Sequence, residues 1–236
     1  MRIALVADLH GNRPATEALE RDLNAMKPDR TICLGDVVGK GPSSDFTYDW
    51  AMEHCECILG GNWDYGVGCR QFPLDQFYWE QLGEKRLKTL RELPREMELW
   101  LSGRRLRLFH GRPVMEELVT IVNERAAIEP FLLDESGGSY DGVIYGDAHR
   151  QALRTMTPGL FANVGSVGNA LGVPQCCYAL LEGEPEQTPG PFEIRMRQLP
   201  YDRQQAVRDA ELAPRVPKIE AYIREVQTGL YSRKQS

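Results

Sequence analysis

Five short apolar runs punctuate the chain, and each leads into a polar residue able to bind a metal. Ile3–Ala7 leads into Asp8-Leu9-His10, and Thr31–Leu34 into Gly35-Asp36. Cys57–Leu59 leads into Gly60-Gly61-Asn62-Trp63-Asp64, Leu106–Phe109 into His110-Gly111, and Val143–Tyr145 into Gly146-Asp147-Ala148-His149. Each run reads as a buried or half-buried strand. Helical spacing fills the intervals. Residues 15–26 set Ala15, Ala18, Leu19, Leu23 and Met26 on one stripe, with Pro14 near the first turn. Residues 75–92 carry Phe77, Tyr78, Leu82, Leu87 and Leu90 at similar spacing, and 114–133 predicts a further helix. Strands alternating with helices predict βαβ units and parallel pairing.

The pattern changes after residue 95. Met97–Leu101, Ser102-Gly103 and Arg104–Phe109 read as a hairpin with a short turn. Strand-like stretches follow at 151–156, 160–164, 176–181 and 192–199, with a polar, proline-rich loop at 182–191. The predicted class is therefore α/β with layered α+β character, two mixed β-sheets packed as a sandwich and flanked by helices. One domain over 1–202 is followed by a helical extension over 203–236. Ile219, Tyr222, Ile223, Val226 and Leu230 form an apolar stripe on the extension, expected to pack on the same domain, with a homodimer contact as the alternative. Ser232 to Ser236 reads as a frayed tail.

Composition narrows the partners. Of 236 residues, 42% are hydrophobic and 26% charged, as in ordinary globular chains. A net charge of -6 argues against nucleic acid as a bulk electrostatic partner and leaves a local basic groove open. No apolar run approaches the roughly 20 residues that span a membrane. Asp8 interrupts the apolar N-terminus too early for a signal peptide, so a cytoplasmic location is expected. Six cysteines lack CxxC or zinc-ribbon spacing and read as small buried hydrophobes. His54 reads as a structural residue near a helix end.

In open α/β sheets, ligands bind beyond the carboxyl ends of the strands. Those ends would deliver Asp8, His10, Asp36, Asn62, His110 and either Asp147 or His149 to one edge. Each motif alone is an ordinary turn sequence. Together they take three of the four histidines, always directly after an apolar run. Mixed Asp, His and Asn donors suit Mn, Fe or Zn but not a thiolate site. One carboxylate shared by two cations would give a two-metal site for displacement at phosphorus.

These motifs, in this order, resemble those of the calcineurin-like metallophosphoesterase superfamily, in its small bacterial and archaeal phosphodiesterase branch. "DLHGNRPATEAL" is similar to the first motif, "GDVVGKGP" to the second, and "NVGSVGNALG" to the segment after the last histidine. "PYDRQQAV" resembles the start of a C-terminal helical extension, so the likeness reaches residue 215 or so. The resemblance implies a β-sandwich with two metals at one edge. It implies Asp8, His10, Asp36 and His149 on the first metal, and Asp36 bridging to a second held by Asn62 and His110. It further implies phosphodiester hydrolysis by a hydroxide between the metals, with Asp36, Asn62 and His110 as the catalytic set. The cofactors would be two divalent ions, Mn foremost, with Fe, Zn, Ni or Co as alternatives. Asn12 and Arg13 become candidates for phosphate binding, although Asn12 also suits a helix cap.

Two positions depart from the family pattern. Asp147 stands where the family has a metal-binding histidine; as a carboxylate it is expected to ligate the second metal and to favour Mn over Zn, and the alternative is a weak or empty second site. Trp63 follows Asn62 where many members carry a proton-donating histidine, and its indole N–H is essentially non-acidic. Asp64 reads as a support or turn residue. The expected partner is a small phosphorylated substrate, a nucleotide among the options. Tyr65, Phe72, Phe77, Tyr78 and Trp79 read as helix core, with base stacking as the alternative. The competing functional reading is a phospho-ligand-binding or regulatory protein with one metal and little turnover.

Overall fold

The computed structural model describes residues 1–233. Its first layer grows from β1 (Arg2–Val6), in which every residue after Arg2 is buried. Parallel pairing joins β1 to β2 (Arg30–Cys33), and β2 to β3 (Cys57–Ile58). Antiparallel β9 (Cys176–Gly183) and β10 (Phe192–Leu199) complete a five-stranded sheet of order β10-β9-β1-β2-β3. The second sheet has the order β4-β5-β6-β8-β7. It is built from the hairpin β4 (Glu96–Leu101) and β5 (Arg104–Phe109), then β6 (Gly142–Tyr145), β7 (Ala152–Thr155) and β8 (Leu160–Asn163). Two mixed sheets flanked by helices are thus the observed architecture.

Strand alternation explains how the layers stack. Ile3, Leu5 and Ala7 face inward and pack with Ile32, Leu34, Leu106, Leu108 and Ile144 between the sheets. Ala4 and Val6 face outward, into a core shared with the helices. Those helices are α1 (Arg13–Met26), α2 (Ser44–His54), α3 (Asn62–Gly68) and α4 (Gln76–Glu92). The short α5 (Arg125–Ile128) belongs to a smaller cluster on the outer face of the second sheet. The C-terminal extension is two helices, α6 (Arg203–Glu211) and α7 (Ile219–Thr228). Ala206, Ala210, Ile219, Tyr222 and Val226 join the same helical core as α1 and β1, while Leu230 is exposed. Among the described residues, no helix is long and apolar enough to cross a membrane.

Several expectations are corrected. The helix over 114–133 shrinks to α5 and a 3₁₀ turn at Glu129–Leu132. The run Val119-Thr120-Ile121-Val122 is β-branched, and Asn123 accepts a hydrogen bond from the Thr120 N–H at 2.8 Å, so local contacts compete with the helix. Helix α4 breaks at Gly83, whose φ is 69°. Of the cysteines, Cys69 is exposed and Cys55 and Cys57 are half-buried, so only Cys33, Cys176 and Cys177 are core residues; all six are free thiols. The frayed tail is corrected at its first two residues. The Ser232 N–H donates to Glu225 Oε1 at 3.0 Å, and Arg233 is buried beside Glu225; 234–236 lie outside the described residues.

Candidate metal centre

The site lies beyond the carboxyl ends of β1, β2, β3, β5 and β6, where the chain leaves each strand by a sharp turn. Asp8, His10, Asp36, Asp147 and His149 all take positive φ, between 49° and 62°. That left-handed conformation costs a non-glycine residue about 1–3 kcal/mol and clusters at functional sites. Inter-strand bonds hold the turns: Asp8 N–H to the Gly35 carbonyl at 2.9 Å, His10 N–H to Asp36 O at 3.2 Å, and Gly146 N–H to His110 O at 2.7 Å. The segment after β8 closes the floor, with Ser166 Oγ donating to Asp8 O and the Gly168 N–H to the same carbonyl. A Cβ on Gly168 would lie 1.9 Å from Leu9 O, so only glycine allows this approach.

The three histidines are set in one way. Nδ1 of His10 meets Val38 O at 3.1 Å, Nδ1 of His110 meets Leu34 O at 3.0 Å, and Nδ1 of His149 meets Asn169 O at 2.6 Å. A carbonyl partner assigns the proton to Nδ1 in the neutral ring, leaving the Nε2 lone pair for the interior. Those Nε2 atoms converge on carboxylates. His149 lies 3.2 Å and His10 3.5 Å from Asp8 Oδ1, and Asp36 Oδ2 lies 3.5 Å from His10 and 3.3 Å from His110.

Two groups with metal-binding geometry result. Asp8, His10 and His149 form one, and Asp8, Asp36 and His110 the other, with ligand atoms within 4.8 Å of one another in each. Asp8 is common to both, while Asp36 stands between His10 and His110. Asn62 is the first residue of α3. Its Oδ1, Asp8 Oδ1 and His110 Nε2 are buried without a hydrogen-bond partner among the described residues. Orphaned buried donors and acceptors of this kind are costly, and a cation relieves them. The donor set therefore fits divalent metal.

Electrostatics point the same way. Burial would raise the Asp8 carboxyl, but His149, His10 and His110 around it hold it well below the usual range. Burial is likewise outweighed at Asp36, chiefly by His110, and its carboxyl is lowered. His110, despite burial, is pushed up to about 10 by Asp36 and then Asp8. His10 is brought down to about 4, by burial and then by Lys40. Ionised carboxylates that recruit a proton onto a buried imidazole demand positive charge at this place.

The remaining expected residues take varied places. Asp64 supports the site: its carboxylate accepts from the backbone N–H groups of Asp36, Val37 and Gly61 at 2.7, 3.0 and 3.0 Å. Burial and the Asp36 charge push its carboxyl up to about 7. Asn12 is placed as the cap of α1: Oδ1 accepts from Ala15 N–H and Nδ2 donates to Gly168 O, so its side chain is not free for phosphate. Arg13 points away, paired with Glu17 at 2.7 Å and stacked over Phe46, because it lies on the outer face of the helix. Asp147 is brought to the edge of the site, but its carboxylate pairs with Arg112 and belongs to neither ligand group. His54 stacks on Trp50 at the end of α2, a structural position. Of the aromatics, Tyr78 is fully buried and Phe77 and Trp79 pack against the helical core, whereas Phe72 is exposed.

Sequence reasoning missed Lys40, Asn169, Arg112 and Arg233. Lys40 Nζ lies 3.0 Å from His149 Nε2 and 3.2 Å from Asn169 Oδ1. Burial, then Arg233, brings Lys40 down to about 8. Lys40 falls inside GDVVGKGP and Asn169 inside NVGSVGNALG, two glycine-rich segments whose motif character was an available signal. Nothing in the sequence near Arg233 signals its place, because the tail reaches the site only through the fold.

Comparison with known proteins bears on the family and the fold. The model of the calcineurin-like phosphoesterase superfamily domain matches residues 1–186. The uncharacterised protein MJ0912 of Methanocaldococcus jannaschii is 25% identical over 233 residues, covering 86% of this chain and 89% of its own. Among solved structures, a metallophosphoesterase from Sphaerobacter thermophilus superposes with a TM-score of 0.74 at 23% identity, over 98% of this chain and all of its own. The hypothetical protein PH1004 of Pyrococcus horikoshii gives 0.76 at 16% identity over 99% of both chains. A protein described as a novel archaeal phosphodiesterase gives 0.53 at 20% identity, over 84% of this chain and all of its own.

Proposed function

Because the chain belongs to the calcineurin-like phosphoesterase superfamily, we propose that it hydrolyses phosphodiester bonds with two divalent cations held at the strand ends. The observation that carries this reading is the common setting of His10, His110 and His149, each tied by Nδ1 to a backbone carbonyl with Nε2 turned on Asp8 and Asp36. Asp8, His10 and His149 would hold one cation, and Asp36, His110 and Asn62 the other, with Asp36 between them. Oxygen and nitrogen donors without thiolate favour Mn, with Fe, Zn, Ni and Co as competitors. When bound, such cations polarise phosphoryl oxygens and make water a nucleophile near neutral pH.

The protein's own groups do the rest. The Nδ1 anchors fix the imidazole tautomers, and Asp64 fixes the Asp36 turn. Trp63 packs edge-on against His10, with ring centres 5.9 Å apart, and offers no useful proton. Substrates with good leaving groups are therefore favoured. A small phosphorylated molecule such as a nucleotide suits the cavity beside the site, whose walls include Trp63 and Tyr231. The six free thiols support a reducing, cytoplasmic setting.

The test combines metal content with turnover of a bis-aryl phosphodiester in added Mn. The wild type is expected to turn over, and Asp36→Asn to lose at least about 10²-fold. One tightly held metal with no turnover in Mn, Ni or Co would identify a phospho-ligand-binding protein instead.

A further inference from the structure

Asp147 stands where the resemblance sets a metal-binding side chain, yet both its oxygens have other partners. Arg112 donates from Nη2 to Oδ1 at 2.6 Å and from Nε to Oδ2 at 2.8 Å, and its backbone N–H donates to Oδ2 at 3.0 Å. Gly111 makes room for this contact, since a Cβ there would lie 2.6 Å from Asp147 Cβ and 2.8 Å from Oδ2. The Asp147 side chain is only 2% exposed, whereas that of Arg112 is 43% exposed. The carboxylate is thus the buried mount and the guanidinium the accessible group. The Asp147 N–H lies 3.3 Å from Asp8 Oδ2, so the pair abuts the metal centre.

A second arginine reaches the same cavity from the C-terminal tail. Arg233 Nε lies 3.4 Å from Glu225 Oε2, and Cζ lies 5.6 Å from the Trp63 ring centre. Its Nη2 is buried without a hydrogen-bond partner among the described residues. Lys40, also buried, stands near it. A cavity of about 730 Å³ is lined by these three cations together with Asp36, Asn62 and His149. Lys40 and Arg233 repel each other, and partly paired buried cations are costly, so an anion arriving between them is favoured. Glu116 and Glu117 also line the cavity.

We propose that Asp147 serves the substrate and not the metals: it mounts Arg112 as one arm of a cationic clamp, with Arg233 as the other, for a second phosphate on the substrate. Bound metals would neutralise the phosphate being cleaved; Asp147 and Glu225 offset the charges of Arg112 and Arg233, but the N–H donors these arginines keep, the unpartnered Arg233 Nη2 among them, are not needed by a simple diester. They suit a substrate that bears another phosphate beside the scissile one. This rests on the phosphodiesterase reading above. Asp147 is then a positioning residue that acts through Arg112.

The test uses two dinucleotides that differ by one group, ApA and its 5′-phosphorylated form pApA, with the metal-loaded full chain. The wild type is expected to show a KM for pApA at least about tenfold below that for ApA, as charge-assisted contacts to one phosphate allow. Arg112→Ala and Arg233→Ala should each shrink that preference to about threefold or less. Asp147→Asn and Asp147→Ala should shrink it too, raising KM more than they lower kcat, while keeping the wild-type number of bound metals per chain. A metal lost in the Asp147 variants but kept in Arg112→Ala would overturn the proposal. Equal KM values for the two dinucleotides in the wild type would also overturn it while leaving the diesterase reading intact. Should the wild type cleave no diester, the diesterase reading fails, and the same pApA preference is read from calorimetric Kd values.

Discussion

At the scale of single residues, the candidate ligands that the fold gathers at one edge were legible because metal chemistry restricts residue types. Turn formation alone does not require Asp, His and Asn directly after apolar runs, nor does it draw three of four histidines to that position, whereas metal binding does. The conformation that presents them was not legible. Five of these residues adopt positive φ, a choice forced by bonds from neighbouring strand ends and by the floor segment 163–169. Gly168 shows the tolerance of that floor. Gly168→Ala would drive a Cβ into the Leu9 carbonyl, which is backbone and cannot swing aside. The expected cost is about 3 kcal/mol, measured by urea denaturation, together with weaker metal binding because the Asp8–His10 turn must move. Asp147 marks the limit of motif reasoning: its type allowed a ligand role, but its partner, Arg112, is recognisable only once β5 and β6 lie side by side.

At the scale of elements, periodicity found α1 and α4 and the hairpin of β4 and β5, whose patterns are long or regular. It overlooked α2, in which Trp50, Tyr48 and Ala51 are buried among polar neighbours without a clear stripe. It overextended the helix after Pro113, where β-branched residues and Asn123 prefer turns. How elements are tied together is also invisible in periodicity. Asp22 on α1 accepts from Tyr178 Oη on β9 at 2.5 Å and from Arg197 on β10 at 2.7 Å twice. Burial would raise the Asp22 carboxyl, but Arg197 and Tyr178 outweigh it and the net shift is downward. A carboxyl lowered in the folded state contributes stability above its unfolded pKa and loses it as pH falls through the folded value. Asp22→Asn should therefore cost about 1–3 kcal/mol near neutral pH and progressively less as pH falls below the ordinary aspartate range, a convergence that urea midpoints across pH would reveal. A constant difference at all pH values would contradict the ionic tie.

At the scale of the whole molecule, the sandwich class followed from the alternation of apolar runs, whereas the role of the C-terminus did not. The extension contributes Tyr222, Ile219 and Val226 to the helical core and returns Arg233 to the metal cleft. Tyr222 is fully buried, and its hydroxyl has no partner among the described residues. Tyr222→Ala should cost about 3–5 kcal/mol, lowering the thermal midpoint by roughly 10 °C for a chain of this size. Tyr222→Phe should be neutral or stabilising by up to about 1 kcal/mol, since it removes an unsatisfied polar group. Calorimetry of the two variants separates packing from hydrogen bonding.

The proposed pair of cations is tested most directly by electron paramagnetic resonance of the Mn-loaded chain. Two ions sharing Asp36 would sit about 3.5–4 Å apart and couple magnetically. The expected result is an exchange-coupled dimanganese spectrum that collapses in Asp36→Asn to that of an isolated ion. A wild-type spectrum showing only isolated Mn, at saturating metal, would contradict the two-metal centre.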